Sequence, residues 1–296
     1  MVVNRLYYKK DAPCFKNEGG SFSFNNKALE EAIRSIFEKE LNVSSEIDRG
    51  LFNEFWRIFN EAADSGFGVP PVTSPEYMFY EEIKYNNAVY SAFRTHRLQN
   101  DIAAQMLDDD GKLKDFRQFK TDVESLVAPT HLDAWLETEY DTAVLRAHLA
   151  ADWHQFEQNK DILPNLRWVP STSVEPGLDH RMFWNIIRPV DDAFWDNHRP
   201  GDRWNCKCDL EATDEPATDK SDIPQARDSD KPKDGLENNP GKDAKLFSEN
   251  NPYQKHAYPG ARKAVDRFVN ENIHRPEEKT FQSVQKYKNG GEVLLH

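Results

Sequence analysis

Cys206 and Cys208, one residue apart, and the upstream histidines His180 and His198 are the residues here whose types and spacing point most directly to chemistry. Side chains alternate along an extended strand, so both sulfurs would lie on one face. There they can meet a single zinc ion at about 2.3 Å. His180 and His198 would complete a Cys₂His₂ set. The spacing is not that of a zinc finger, because the Cys-x-x-Cys knuckles are absent; the site is read as structural rather than catalytic, stabilising a small module with a weak core. The alternative is that the cysteines act as small buried hydrophobes and His180 as a hydrogen-bonded core residue. A Cys206–Cys208 disulfide is disfavoured, because Cβ atoms two apart on a strand diverge from bridging geometry.

A second chemistry would make Cys206 a nucleophile, with His180 as base and Asp179 or Asp191 as orienter. The neighbours Asn205 and Lys207 provide no evident oxyanion turn. Asp191 and Asp192 are read as initiating a turn or capping a short helix that bears Phe194 and Trp195. Trp184, Trp195 and Trp204 are read as the core of a module too small to be filled by aliphatics. His148 and His154, six apart, do not share a helix face well enough to pair on a metal. Glu137, Glu139 and Asp141 read as a solvated face. There is no glycine-rich phosphate loop, serine elbow or metalloprotease helix motif, so no catalytic residue is assigned.

The elements that must position these residues fall into two kinds. From Asn25 onward, Leu29, Ile33, Ile36, Phe37 and Leu41 recur at helical spacing behind an Asn25 or Asn26 cap. A second helix is expected to start at Ser44 or Ser45, burying Leu51, Phe52, Phe55, Trp56 and Phe59, and to be ended by Gly66 and Gly68. Ser74-Pro75-Glu76 opens a third helix, extending toward Met106 with His96 and Arg97 on its polar side. Phe116, Phe119, Val123 and Leu126 mark a short amphipathic helix, and residues 132–160 the longest one. Beyond Leu163-Pro164 helical periodicity is lost, and short extended runs are expected at 166–169, 185–188 and 206–210. The chain is therefore read as α+β. An irregular segment (1–24) precedes a helical domain (25–162) and an aromatic-rich α+β module (163–210). A flexible linker (211–245) and a tail (246–296) follow. The Gly290-Gly291-Glu292-Val293 ending reads as the start of a further domain.

Composition limits the partners. Lys and Arg number 38 against 51 Asp and Glu, giving a net charge of −13, which repels phosphate backbones and anionic membranes. Aromatic residues make up 12% of the chain, enough to build a core. No apolar run reaches the roughly 20 residues a membrane helix needs, and no secretory signal is evident. Three cysteines in 296 residues point to a reducing compartment.

The stretch 163–209 carries Asp179-His180, the apolar run Phe183 to Ile187, Asp191-Asp192-Ala193-Phe194-Trp195, Arg199-Pro200-Gly201, and the closing Trp204-Asn205-Cys206-Lys207-Cys208. In this combination it resembles the phage Mu F-like minor head protein (head morphogenesis) family. Weaker likeness extends over about 75–255. It includes Trp135-Leu136-Glu137 and Trp153-His154-Gln155-Phe156 upstream, and Gly235-Leu236-Glu237-Asn238 downstream. Some members carry an additional Cys-x-x-Cys before the histidine; this chain has none between Leu163 and Asp179. The resemblance implies a non-enzymatic, virion-associated minor head protein of a tailed phage or prophage. Such a protein would contact the portal and other head proteins, assist capsid assembly and handle packaged DNA indirectly. In some relatives the module precedes a toxin domain, so the second reading is a delivery module whose effector is missing.

Overall fold

A computed structural model describes residues 22–126, 129–173 and 178–276. Most of the expected irregular N-terminal segment and the Gly290-Gly291 ending lie outside the described residues. The fold is α+β and rich in helix.

Helix α1 (Asn26–Phe37) is capped by the Asn25 side chain, which accepts from the Lys27 N–H, and it buries Leu29, Ile33 and Ile36. Helix α2 (Arg49–Phe67) starts later than expected. Asp48 is its cap, accepting from the Leu51 N–H at 2.8 Å. The preceding residues form a polar turn instead, closed by the Gln99 amide, which donates to the Val43 and Glu46 carbonyls. Helix α3 (Glu76–Ala103) runs into a 3₁₀ turn (Ala104–Met106), and α4 (Phe116–Leu126) precedes the 31-residue helix α5 (Pro129–Asn159). Gly66 does not end α2. It lies inside the helix, where a Cβ would sit 2.1 Å from the Val144 carbonyl oxygen, so its missing side chain lets α2 and α5 touch.

Helix α5 serves two cores at once, which is why its apolar residues form no single stripe. Leu136, Tyr140, Ala143, Val144 and Ala147 join α1–α4 in the main core. Leu145, Leu149, Trp153 and Phe156 face the module that follows. There β1 (Asn165–Val169) is the central strand of an antiparallel sheet of order β2-β1-β3, flanked by β2 (Ile187–Pro189) and β3 (Asp209–Thr213). Leu166 pairs with Arg188 on one side and Ala212 on the other. Short helices α6 (Leu178–Arg181) and α7 (Phe194–Asn197) fill the connections. The module and the helical domain thus share α5, and the expected division at residue 163 cuts through one core.

Residues 211–245 are not a flexible linker. Their first three residues complete β3, Asp230 is buried, and Leu236 and Ala244 enter the main core together with Leu246 and Phe247. Composition misled here because, beside Leu236 and Ala244, the segment is held by polar bonds from arginines outside it. Buried Arg146 donates to the Leu246, Gly201, Leu236 and Asn238 carbonyls, and buried Arg199 donates to Leu236 and Asn238. Helices α8 (Pro240–Asp243), α9 (Pro252–Lys255) and α10 (Ala261–Asn272) follow. Helix α10 packs Ala261, Ala264, Val265 and Val269 on Phe52 and Phe93.

Two polar expectations also change. His96 is buried, its Nε2 3.2 Å from the Ser44 carbonyl oxygen. Glu139 is buried too; it accepts from Arg94 at 2.9 Å, Tyr90 at 2.7 Å and Tyr253 at 2.6 Å. A charge that deep is stable only when paired and hydrogen-bonded, and this one has both.

Candidate functional site

The structure brings three of the four expected metal ligands together. His180 sits on α6. Cys206 and Cys208 precede β3 rather than lying on it, so their convergence is the work of a turn and not of strand alternation. Asn205 adopts the left-handed conformation at φ 55°. The Cys206 N–H donates to the Arg203 carbonyl, and the Cys208 N–H points at the Cys206 sulfur at 3.4 Å. Both sulfurs then face one ring nitrogen of His180. Cys206 Sγ lies 3.4 Å and Cys208 Sγ 3.7 Å from Nδ1. All three residues are buried. Trp168 packs edge-on against the His180 ring at 5.1 Å and closes the cluster from the sheet side.

The opposite ring nitrogen is held by a residue to which the sequence reading assigned no role. His180 Nε2 is 2.7 Å from the Asp202 carboxylate, which also accepts from the Arg203 guanidinium at 3.0 Å and the Arg199 N–H at 3.4 Å. Asp202 follows Gly201 in the Arg-Pro-Gly-Asp-Arg-Trp run, and the signal available was an Asp placed between two arginines. Its carboxylate fixes the Nε2–H tautomer, leaving Nδ1 to face the sulfurs.

The electrostatics agree with this geometry. Burial opposes a charge on His180, but Asp202 and the Cys208 sulfur outweigh it and raise its pKa to about 9. The Cys206 thiol, against the cost of burial and with help from His180, holds Cys208 down at about 5. Cys206 itself is pushed well above the usual thiol range, first by Cys208 and then by burial. These directions favour charge pairing between His180 and Cys208, with the Cys206 thiol the later of the two to lose its proton.

A tetrahedral zinc at about 2.3 Å from sulfur and about 2.0 Å from nitrogen separates those ligands by about 3.5 Å. The observed 3.4 and 3.7 Å fit that edge. The donors present, two sulfurs and an imidazole backed by a carboxylate, thus suit zinc at three corners. His198 is not a fourth ligand. Its ring stacks on Phe183 at 4.5 Å, and it does not join the cluster of His180, Cys206 and Cys208. The short helix α7 turns it toward the aromatic core.

The other expected residues are structural. Asp191 is exposed and pairs with Lys160 at 3.2 Å. Asp192 caps the turn before α7, accepting from the Phe194 N–H at 2.8 Å, and pairs with Arg188. Trp195 is core, its indole donating to the Pro189 carbonyl at 2.9 Å. Trp204 packs against the main helical core rather than the module's, stacking on Phe247 and meeting Trp135. Trp184 is half-buried beneath the Arg181 guanidinium. Asp179 is on α6, and its side chain lies outside the described residues; the carboxylate on His180 Nε2 is that of Asp202, while Asp191 is engaged with Lys160. The space beside Cys206 and Cys208 is about 70 Å³, room for about two waters at their liquid volume and far below the roughly 300 Å³ of a small-molecule site.

Among curated proteins, the chain is similar to the putative capsid assembly protein F of Escherichia phage Mu. The two are 29% identical over 77 residues, a stretch covering 26% of this chain and 18% of the phage protein. The match thus spans less than a fifth of that relative's length. No family model matches, and no solved structure matches. Among the described residues no helix is long and apolar enough to cross a membrane.

Proposed function

We propose that this chain is a head-assembly protein of a tailed phage or prophage, a virion component that works by docking to the portal and other head proteins. The observation that carries the reading is the similarity to the phage Mu capsid assembly protein. The site supports a structural role. Its reactive atoms are turned inward on one another, Cys208 is 2% exposed, and the adjoining space is too small for a substrate. The line Cys208–His180–Asp202 has the order of a nucleophile, base and orienter, but a buried sulfur with two metal-ligating neighbours suits a structural ion better. On this reading the protein turns over no substrate. Zinc held by His180, Cys206 and Cys208 would tie the turn before β3 to α6 and stiffen the module. With a net charge of −13, contact with packaged DNA is indirect, through protein partners.

The test is affinity capture. A tagged full-length chain, expressed with the head genes of its own phage, is expected to retain portal and coat proteins after washing at about 0.5 M salt, a strength that screens weak surface attraction. Recovery of the tagged chain alone would overturn the reading.

A further inference from the structure

A second group of metal-type ligands lies on the other wall of the small space beside the cysteines. His148 and Asp152 are one turn apart on α5, with Nε2 and Oδ2 separated by 3.2 Å. Asp209, the first residue of β3, brings its Oδ2 to 4.0 Å from the same nitrogen. Side-chain exposures are 29% for His148, 23% for Asp152 and 44% for Asp209, so the group is half-buried and reachable by water. His148 and Asp209 both line the 70 Å³ space. Helix spacing alone places His148 and Asp152 on one face. It takes the antiparallel β1–β3 pairing, Val169 against Asp209, to deliver the third ligand from 57 residues further along the chain.

We propose that His148, Asp152 and Asp209 form a binding site for a first-row divalent cation, separate from the thiolate cluster. One imidazole nitrogen and two carboxylates are a donor set for hard or borderline ions such as Mn²⁺, whereas the sulfur-rich trio selects softer ones. The ligand atoms all lie within 4.8 Å of one another, and a cation at about 2.1 Å from each, with neighbouring ligands about 3.0–3.4 Å apart, would draw Asp209 inward by roughly 0.6–1 Å. Three protein ligands leave the remaining positions to water from the adjoining space. The ion would bridge α5 to β3 and join the helical domain to the module.

The probe is Mn²⁺ itself. Metal-stripped full-length protein is titrated with Mn²⁺, and free ion is followed by electron paramagnetic resonance. One ion is expected to bind per chain, with affinity at least tenfold weaker in Asp152→Asn and in Asp209→Asn, and unchanged in Cys208→Ser. In the wild type, bound Mn²⁺ should also broaden the His148 imidazole resonances, a readout that needs no variant to fold. Three results would each overturn the site: no saturable binding, binding unchanged in the Asp152→Asn/Asp209→Asn double variant, or His148 signals left sharp. A loss of binding confined to Cys208→Ser would also overturn it, by placing the ion at the thiolates.

Discussion

Asp202 is the residue on which the cysteine cluster turns, because it decides which nitrogen of His180 faces the sulfurs. Asp202→Asn keeps the size and removes the charge. An amide can donate to Nε2, which would place the ring proton on Nδ1, between the sulfurs and any ion. Zinc affinity is expected to fall by about 10- to 100-fold, measured by competition with a chromogenic chelator; equal affinity in the variant, or a wild type that takes up no zinc, would contradict the assignment. The convergence at this site was legible in residue types: Cys206, Cys208 and His180 do come together. The reason first offered, two sulfurs on one strand face, is not how they do so, since the strand begins only at Asp209. His198 was misjudged because one-dimensional proximity carries no orientation, and Phe183 captures its ring.

At the scale of elements, the helices were readable by position, but their buried faces were readable only where one face is apolar, as in α1 and α2, and not where burial is all round. Helix α3 buries Asn87, Arg94, Thr95, His96 and Gln99: His96 and Gln99 are matched by carbonyls of the 42–46 turn, Arg94 by Glu139, Asn87 by the Phe59 carbonyl and Thr95 by the Ser91 carbonyl of its own helix. This burial has a pH signature. His96 is held below the usual histidine range by burial, with the Ser44 carbonyl working the other way. The folded state therefore keeps it neutral while the unfolded chain takes up a proton below about pH 6.5. The stability from neutral His96 is present above that value and is lost as pH falls. The gap in melting temperature by which the wild type exceeds His96→Gln is expected to shrink between pH 7.5 and 5.5; a gap that widens would contradict this. Gly66 gives a steric test on the same elements. Gly66→Ala places a methyl 2.1 Å from the Val144 oxygen and 2.8 Å from the Ala147 Cβ, so α2 and α5 must separate. A loss of about 1–3 kcal/mol in urea unfolding is expected, and an unchanged midpoint would show that the contact is not tight.

Across the whole molecule, the largest departure from the sequence reading is the segment 211–245, whose low apolar content looked like a tether. It is clamped by arginines that composition counts only as surface charge. Arg146 makes five donor contacts to the segments around Gly201, Leu236, Asn238 and Leu246, and burial, followed by repulsion from Arg199, pulls its pKa down to about 9. Replacing it with Met would take the donor from the Leu246 and Gly201 carbonyls, at about 1–3 kcal/mol each, while the Leu236 and Asn238 carbonyls keep Arg199. Arg146→Met is therefore expected to lose at least about 2 kcal/mol of unfolding free energy, with early proteolysis near Leu236; a variant as stable as the wild type would show that the segment is held by its apolar contacts alone. The helical domain, module and C-terminal segment share packed cores and buried polar bonds, which under the proposed function suits seating in a larger shell rather than reaching on a flexible arm. The most direct measurement of that role is the composition of gradient-purified procapsids from cells expressing the head genes of the phage, with and without this chain. A fixed, small number of copies per particle, removed only by denaturing the particle, is the predicted result. Procapsids of normal shape and portal content that never contain the chain would contradict it.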